Sequence, residues 1–171
     1  LINDEMIIGW FQGKMEFGQR ALGNRSIIAT PTGDKIKDLI NRAVKFREGF
    51  RPFAPAILEE YAKEYFEFPD DEHVFFMEKV YQFKDKYQKK FPAIVHYDGT
   101  GRLQSVNKKI NPRFYRLIES FNELTGVPIV VNTSFNLNGE PIVESPIDAI
   151  KTFYVCGLDY LVIGNYLISK S

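Results

Sequence analysis

The stretch VPIVVNTSFNLNGEP (127–141) constrains this chain more than any other. Its apolar run reads as a buried strand, and a buried strand requires partners in a sheet. The run stops on Asn132, Thr133, Ser134, Asn136 and Asn138, with Gly139 and Pro141 behind them. A turn in which Asn or Ser satisfies its own backbone accounts for one or two such residues. The larger group suits a rim of neutral donors and acceptors that can hold phosphate oxygens or a base edge without adding charge. Ligands of open α/β sheets sit beyond strand ends, where this rim lies.

The rest of the chain supplies the sheet. Residues 6–11 (MIIGWF) and 26–29 (SIIA) read as short strands. Residues 31–44 are helical, with Asp34 as cap and Ile36, Leu39, Ile40 and Ala43 on one face. Two prolines keep 51–58 extended. Helical spacing returns over 59–68, and 73–83 reads as a strand. Residues 93–106 have the pattern of a hairpin around Asp-Gly-Thr-Gly. A helix over 112–126 opens with Pro112 and closes with Gly126. Another over 145–157 has Ser145 as N-cap and Asp148 in the capping-box position. One or two strands finish the chain. The alternation predicts a mixed α/β sheet of six to eight strands with helices packed on it.

A chain of 171 residues suits one domain, or one domain with an elaborated flank, and 44% hydrophobic residues supply its core. Lys+Arg and Asp+Glu both total 22, which argues against bulk attraction to nucleic acid or membrane. Any anion site must therefore come from local clustering. The single cysteine, Cys156, leaves no internal disulfide and fits a reducing, cytoplasmic compartment. No run approaches the roughly 18 apolar residues of a transmembrane helix. The N-terminus lacks both the basic start of a signal peptide and an initiator Met, so a piece of a longer chain is expected.

Three clusters carry possible chemistry. In 13–27, Gly13, Gly18 and Gly23 allow tight backbone while Lys14, Arg20 and Arg25 bring charge. The pattern is neither a Walker loop nor a Rossmann fingerprint, and a solvated basic loop is the plain alternative. In 44–55, Lys45, Arg47 and Arg51 would share one face if the segment were extended, and they would repel one another unless an anion joined them. Neutralising the end of the preceding helix would explain Lys45 but hardly Arg51. His96 and Arg102 flank the turn and could meet across it, with His96 either a structural residue or a base. With two histidines in the chain, and His73 in an unrelated acidic stretch, no metal ligation is expected.

The Lys45-x-Arg47 and Ser134-x-Asn136 pairs resemble those of YrdC-type nucleotide-binding domains. The phrases MEFGQRALGNRSI, VKFREGFRPFAP, HYDGTGRLQSV, GVPIVVNTSFNLNGEPIV and DAIKTF are similar to the C-terminal domain of the carbamoyltransferase family. That family includes nodulation-factor, cephamycin and tobramycin O-carbamoyltransferases. The resemblance runs from about Ile7 to Ile163, with one departure at Gln19, where the family commonly has Pro.

The resemblance implies a YrdC-like twisted mixed sheet over 1–171, preceded in the full-length chain by an iron-binding, Kae1-like domain that transfers the carbamoyl group. It implies that the present part binds ATP and carbamoyl phosphate, with Mg²⁺ accompanying ATP, and forms carbamoyladenylate. By resemblance the contacts fall on Arg20, Lys45, Arg51, Arg102, Asn132 and Ser134. Arg47 and Asn136 follow from the paired motifs, and Arg25 and His96 are added more loosely. Lys45 and Arg51 are expected to meet phosphate charge, and Ser134 with Asn132 the α-phosphate or carbamoyl edge; Lys45, Arg51 and Ser134 form the expected catalytic group. Two rivals stand beside this reading: a nucleotide-binding module that does not turn over alone, and an RNA-binding domain using the basic, aromatic segment 79–90.

Overall fold

The computed structural model describes residues 1–170. Nine strands form two sheets among these residues: β1 Ile8–Phe11, β2 Arg25–Ala29, β3 Ala54–Leu58, β4 Val80–Gln82, β5 Thr100–Arg102, β6 Gln104–Val106, β7 Ile129–Ser134, β8 Tyr160–Ile163 and β9 Tyr166–Ser169. The main sheet has seven strands in the order β6-β3-β7-β2-β1-β8-β9. It is mixed: β6 runs parallel to β3 and β8 parallel to β1, while the other neighbours are antiparallel. The strand read first from the sequence, β7, sits at its centre between β3 and β2. Its residues 129–131 are fully buried, which is why the run carries no alternating polar face.

The described residues form five α-helices: the short α1 Ile36–Leu39, α2 Ala62–Tyr65 and α3 Asp85–Gln88, and the longer α4 Pro112–Thr125 and α5 Pro146–Val155. The two longer ones cover the sheet: α4 packs on β3 and β7, and α5 on β1 and β8. Both have sequence-encoded ends. Asn111 caps α4 by accepting from Phe114 N at 3.1 Å, and Gly126 closes it in the left-handed conformation. Ser145 and Asp148 form the expected capping box on α5. Fully buried Phe114, on α4, contributes about 2–3 kcal/mol of burial.

Three expectations need correction. The helix over 31–44 shrinks to α1, Ile36–Leu39, followed by a π turn over Ile40–Val44, and Asp34 does not cap it; the N-cap is Lys35, without a side-chain bond. The hairpin over 93–106 does not form. His96 N does donate to Thr100 O at 2.7 Å around the turn, but 93–97 is not a strand. Instead β5 pairs antiparallel with β4 in the small sheet, and β6 joins the main sheet beside β3. The strand over 73–83 is reduced to its last residues, β4, whereas the seven strands of the main sheet agree with the expected six to eight.

Candidate functional site

A cavity of about 570 Å³ opens where the loops after β1 and α1 meet β5 and the end of β7. Arg20, Arg47, Arg51 and Arg102 line it, together with His96, and its lining contains no carboxylate. Among the described residues, none of the four arginines has a carboxylate within ion-pair distance. Burial lowers the Arg47 pKa first, and the charges of Arg51 and Arg102 lower it further against an opposing Glu48. Arg102 is lowered by burial and then by Arg20. The four cations thus feel one another, and the cavity is suited to an anion.

Each arginine is brought here by a local device. Glu16 organises the first loop: its Oε1 accepts from the backbone N–H groups of Leu22, Asn24 and Arg25 at 2.7, 2.7 and 3.3 Å. Gly23, at φ 109°, lets that loop pass against the Phe114 ring, and Trp10 Nε1 donates to its carbonyl at 2.8 Å. The second loop hangs on Asn41, which is completely buried. Its Nδ2 donates to the carbonyls of Gly49 and Arg51 at 3.2 and 2.9 Å, and its Oδ1 accepts from Arg47 Nε at 2.7 Å. Arg47 also lies over the Phe53 ring. Arg102 leaves β5 beside the cavity.

His96 and Arg102 do come together at the cavity, as the turn suggested. Burial lowers the His96 pKa from 6.5; Asp98 opposes this and Arg102 reinforces it. Its Nδ1 lies 3.0 Å from Thr100 Oγ1. At neutral pH His96 is a neutral ring offering one donor and one acceptor.

Lys45 behaves differently from the expectation. Phe46 stands at φ 46°, so the segment is not extended and the alternation that put Lys45, Arg47 and Arg51 on one face fails. Arg47 and Arg51 line the cavity; Lys45 turns away and is 5% exposed. Its Nζ is held by Ser134 O at 2.5 Å, Ser134 Oγ at 3.2 Å, Asn136 Oδ1 at 2.8 Å and Asn136 O at 3.0 Å. Burial and then Arg47 lower its pKa to about 7. The Lys-x-Arg and Ser-x-Asn motifs therefore meet in space, with the lysine fastening the turn and the arginine facing the cavity.

The rim divides in the same way. Asn132, Thr133 and Ser134 line the cavity, whereas Asn136 lies outside its lining. Asn136 accepts from Ser134 Oγ at 2.6 Å and donates to Glu140 O at 2.7 Å, which shapes the turn beneath Ser134. Arg25 is the clearest departure. It is buried on the far side of the first loop, 3.5 Å over the Phe11 ring, and donates to the carbonyls of Gln12, Asn24, Gly13 and Glu144. Its guanidinium is a structural tie, outside the cavity lining.

Asn41, Glu16 and Gln104 were invisible as site residues in the sequence. Gln104 Nε2 donates to Leu22 O at 3.0 Å and its Oε1 accepts from Asn132 Nδ2 at 2.7 Å, which ties the first loop to β6 and β7. A buried amide among apolar neighbours was the available signal for Asn41, but the π turn that rotates it inward is not written in the apolar spacing.

Of the aromatics in 79–90, Phe83 and Tyr87 pack in the core against Phe66 and Tyr65, and Tyr81 is half-buried with its ring edge-on to Phe68. No helix among the described residues is long and apolar enough to cross a membrane.

Comparison with known proteins agrees with this geometry. The chain is 52% identical over 170 residues to nodulation protein NolNO of Sinorhizobium fredii, covering 99% of this chain and 25% of that protein. It is 33% identical over 160 residues to the 3'-hydroxymethylcephem-O-carbamoyltransferase of Amycolatopsis lactamdurans, covering 93% and 30%. Thus it spans about a quarter to a third of the length of these relatives. A crystal structure of full-length HypF in its phosphate- and nucleotide-bound form superposes with a TM-score of 0.64 at 17% identity, over 96% of this chain and 24% of that one. That likeness shows the fold and bears out the YrdC-like mixed sheet. Residues 1–170 match the sequence model of the family described as Carbamoyltransferase C-terminus, and the chain belongs to that family.

Proposed function

We propose that this chain binds ATP and carbamoyl phosphate in the four-arginine cavity and forms carbamoyladenylate, which another part of a longer protein transfers to an acceptor hydroxyl. The observation that carries the reading is the cavity itself: four arginines, with no carboxylate in the lining, in a volume suited to a nucleotide. Phe50 and Tyr97, 77% and 109% exposed, stand at its mouth, where a base can stack. Family membership, shared with an O-carbamoyltransferase, supports carbamoyl phosphate as the anion. The phosphate- and nucleotide-bound form named for HypF supports the choice of ligand class.

The reaction balances in two steps. Water cleaves carbamoyl phosphate to carbamate and inorganic phosphate. A carbamate oxygen then attacks the α-phosphorus of ATP, the bond to the β-phosphate oxygen breaks, and pyrophosphate leaves. Arg20, Arg47, Arg51 and Arg102 hold the two anions together and stabilise the charge that builds on the leaving group. Ser134 sits at the strand end beside them, in a turn that Lys45 keeps rigid. The lining has no carboxylate to ligate Mg²⁺, so a Mg²⁺ ion would enter on the phosphate oxygens of ATP.

The test is pyrophosphate release from ATP in the presence of carbamoyl phosphate. Release that requires carbamoyl phosphate and is lost in Arg51→Ala supports the reading. ATP binding without release points to a nucleotide-binding module that depends on the rest of a longer chain. Absence of both overturns the assignment.

A further inference from the structure

We propose that His96 is the general base of the first step, its Nε2 taking a proton from the water that cleaves carbamoyl phosphate; this role rests on the function proposed above. That step must discharge a proton, and arginines cannot accept one. The cavity lining contains no carboxylate, cysteine or lysine. His96 is half-buried and lines the cavity, so it is the group there that changes protonation near neutral pH.

A neutral imidazole is basic at one nitrogen only, and here the turn decides which. Two backbone bonds hold that turn: His96 N donates to Thr100 O at 2.7 Å, and Gly99 N to His96 O at 3.0 Å. Asp98 Oδ1 accepts from Thr100 Oγ1 at 2.7 Å and from Thr100 N at 3.1 Å. These bonds hold the Asp98 pKa below its usual value, so the ionised carboxylate can only accept. The Thr100 hydroxyl has one hydrogen, and Asp98 takes it. At the 3.0 Å contact with His96 Nδ1 the hydroxyl must therefore accept, and Nδ1 must donate. The proton sits on Nδ1 and the free lone pair on Nε2. No group among the described residues bonds Nε2, and the ring edge left for the cavity is the one that carries it.

In the step, the water oxygen bonds the carbonyl carbon of carbamoyl phosphate as Nε2 takes one of its protons. The C–O bond to the phosphate breaks, and the second water proton goes to the departing phosphate. Carbamate, hydrogen phosphate and an imidazolium result. Burial lowers the His96 pKa, Asp98 opposes and Arg102 reinforces, so the imidazolium gives its proton up to solvent and the base is restored. The second step makes no such demand, because carbamate already attacks as an anion.

Two routes to pyrophosphate release from ATP separate a base from a binding residue. One starts from carbamoyl phosphate and needs the water attack; the other starts from carbamate, supplied by concentrated ammonium bicarbonate, and omits it. His96→Gln is expected to lose about a hundredfold on carbamoyl phosphate while staying within about threefold of wild type on carbamate. Turnover of carbamate by the variant also shows that it is folded. Thr100→Val removes the acceptor at Nδ1, so it should slow the carbamoyl phosphate route alone and move the His96 nitrogen NMR signals away from the Nδ1–H form. A His96→Gln variant that keeps the carbamoyl phosphate rate, or loses both routes equally, would overturn the role of base and leave the cavity assignment standing. Wild type that turns over only one of the two sources would overturn it as well, since the base serves the step that joins them. Release by wild type from neither source would overturn the functional reading and this inference with it.

Discussion

Asn41 Oδ1 accepts a hydrogen bond from Arg47 Nε at 2.7 Å, and this one bond fixes a cavity cation from beneath. The same side chain holds the carbonyls of Gly49 and Arg51, so a single buried amide sets the path of the whole second loop. A π turn at Ile40–Val44 makes this possible by rotating Asn41 inward. Asn41→Ala removes three bonds, one of them to a charged group, and is expected to cost about 3 kcal/mol of stability. Nucleotide affinity should fall with it. Chemical denaturation and calorimetry on the same variant check both effects.

Lys45 is predicted to act through Ser134 and Asn136. Lys45→Met keeps the length of the side chain but leaves four oxygens without their donor, for a loss of about 3 kcal/mol. The pH dependence follows from its lowered pKa. Between about 7 and 10.5 the unfolded chain keeps a proton that the folded chain releases. The unfolded state therefore binds more protons, and wild-type stability rises with pH through that window. The difference in thermal midpoint between wild type and Lys45→Met, followed from pH 6 to about 10, reads this slope directly.

His96 gives a second test with the same sign, at the acid side. Its folded pKa lies below 6.5, so as pH drops below 6.5 the unfolded chain takes up a proton that the folded chain resists. Stability falls with decreasing pH in that window. His96→Gln should flatten this part of the stability curve, and an NMR titration of the ring should place its midpoint below 6.5.

At Gly23 a β-carbon would lie 2.3 Å from the Phe114 ring, and φ is 109°. Gly23→Ala thus combines overpacking with backbone strain, for an expected loss of about 3 kcal/mol. Because Gly23 belongs to the loop that carries Arg20, the variant should also weaken anion binding. A variant with wild-type stability would show that this loop is not pinned against α4.

Much of this architecture was legible in the sequence where one local pattern decides the outcome. The unbroken apolar run of β7, the Pro and Gly ends of α4, and the Ser145–Asp148 capping box all formed as read. The hairpin over 93–106 failed because tertiary pairing overrode turn chemistry: Thr100–Arg102 found β4, and Gln104–Val106 found β3. Within the site, residue type identified Arg20, Arg47, Arg51 and Arg102 as cations, but direction depended on backbone that spacing does not reveal. The left-handed turn at Phe46 sends Lys45 away from Arg47, and the ring of Phe11 together with four carbonyls holds Arg25 outside the cavity. Asn41, Gln104 and Glu16 act on the site through backbone and amide bonds, which leave no charge pattern to read.

Equilibrium binding of ATP to this chain, measured alongside Arg51→Ala and a distal Lys151→Ala control, tests the central claim most directly. Arg51 lines the cavity, whereas Lys151 lies on α5 away from its lining. The account predicts one ATP per chain, binding weakened about tenfold or more by Arg51→Ala, unchanged by Lys151→Ala, and reduced by added salt. No binding by wild type, or equal binding by wild type and Arg51→Ala, would contradict it.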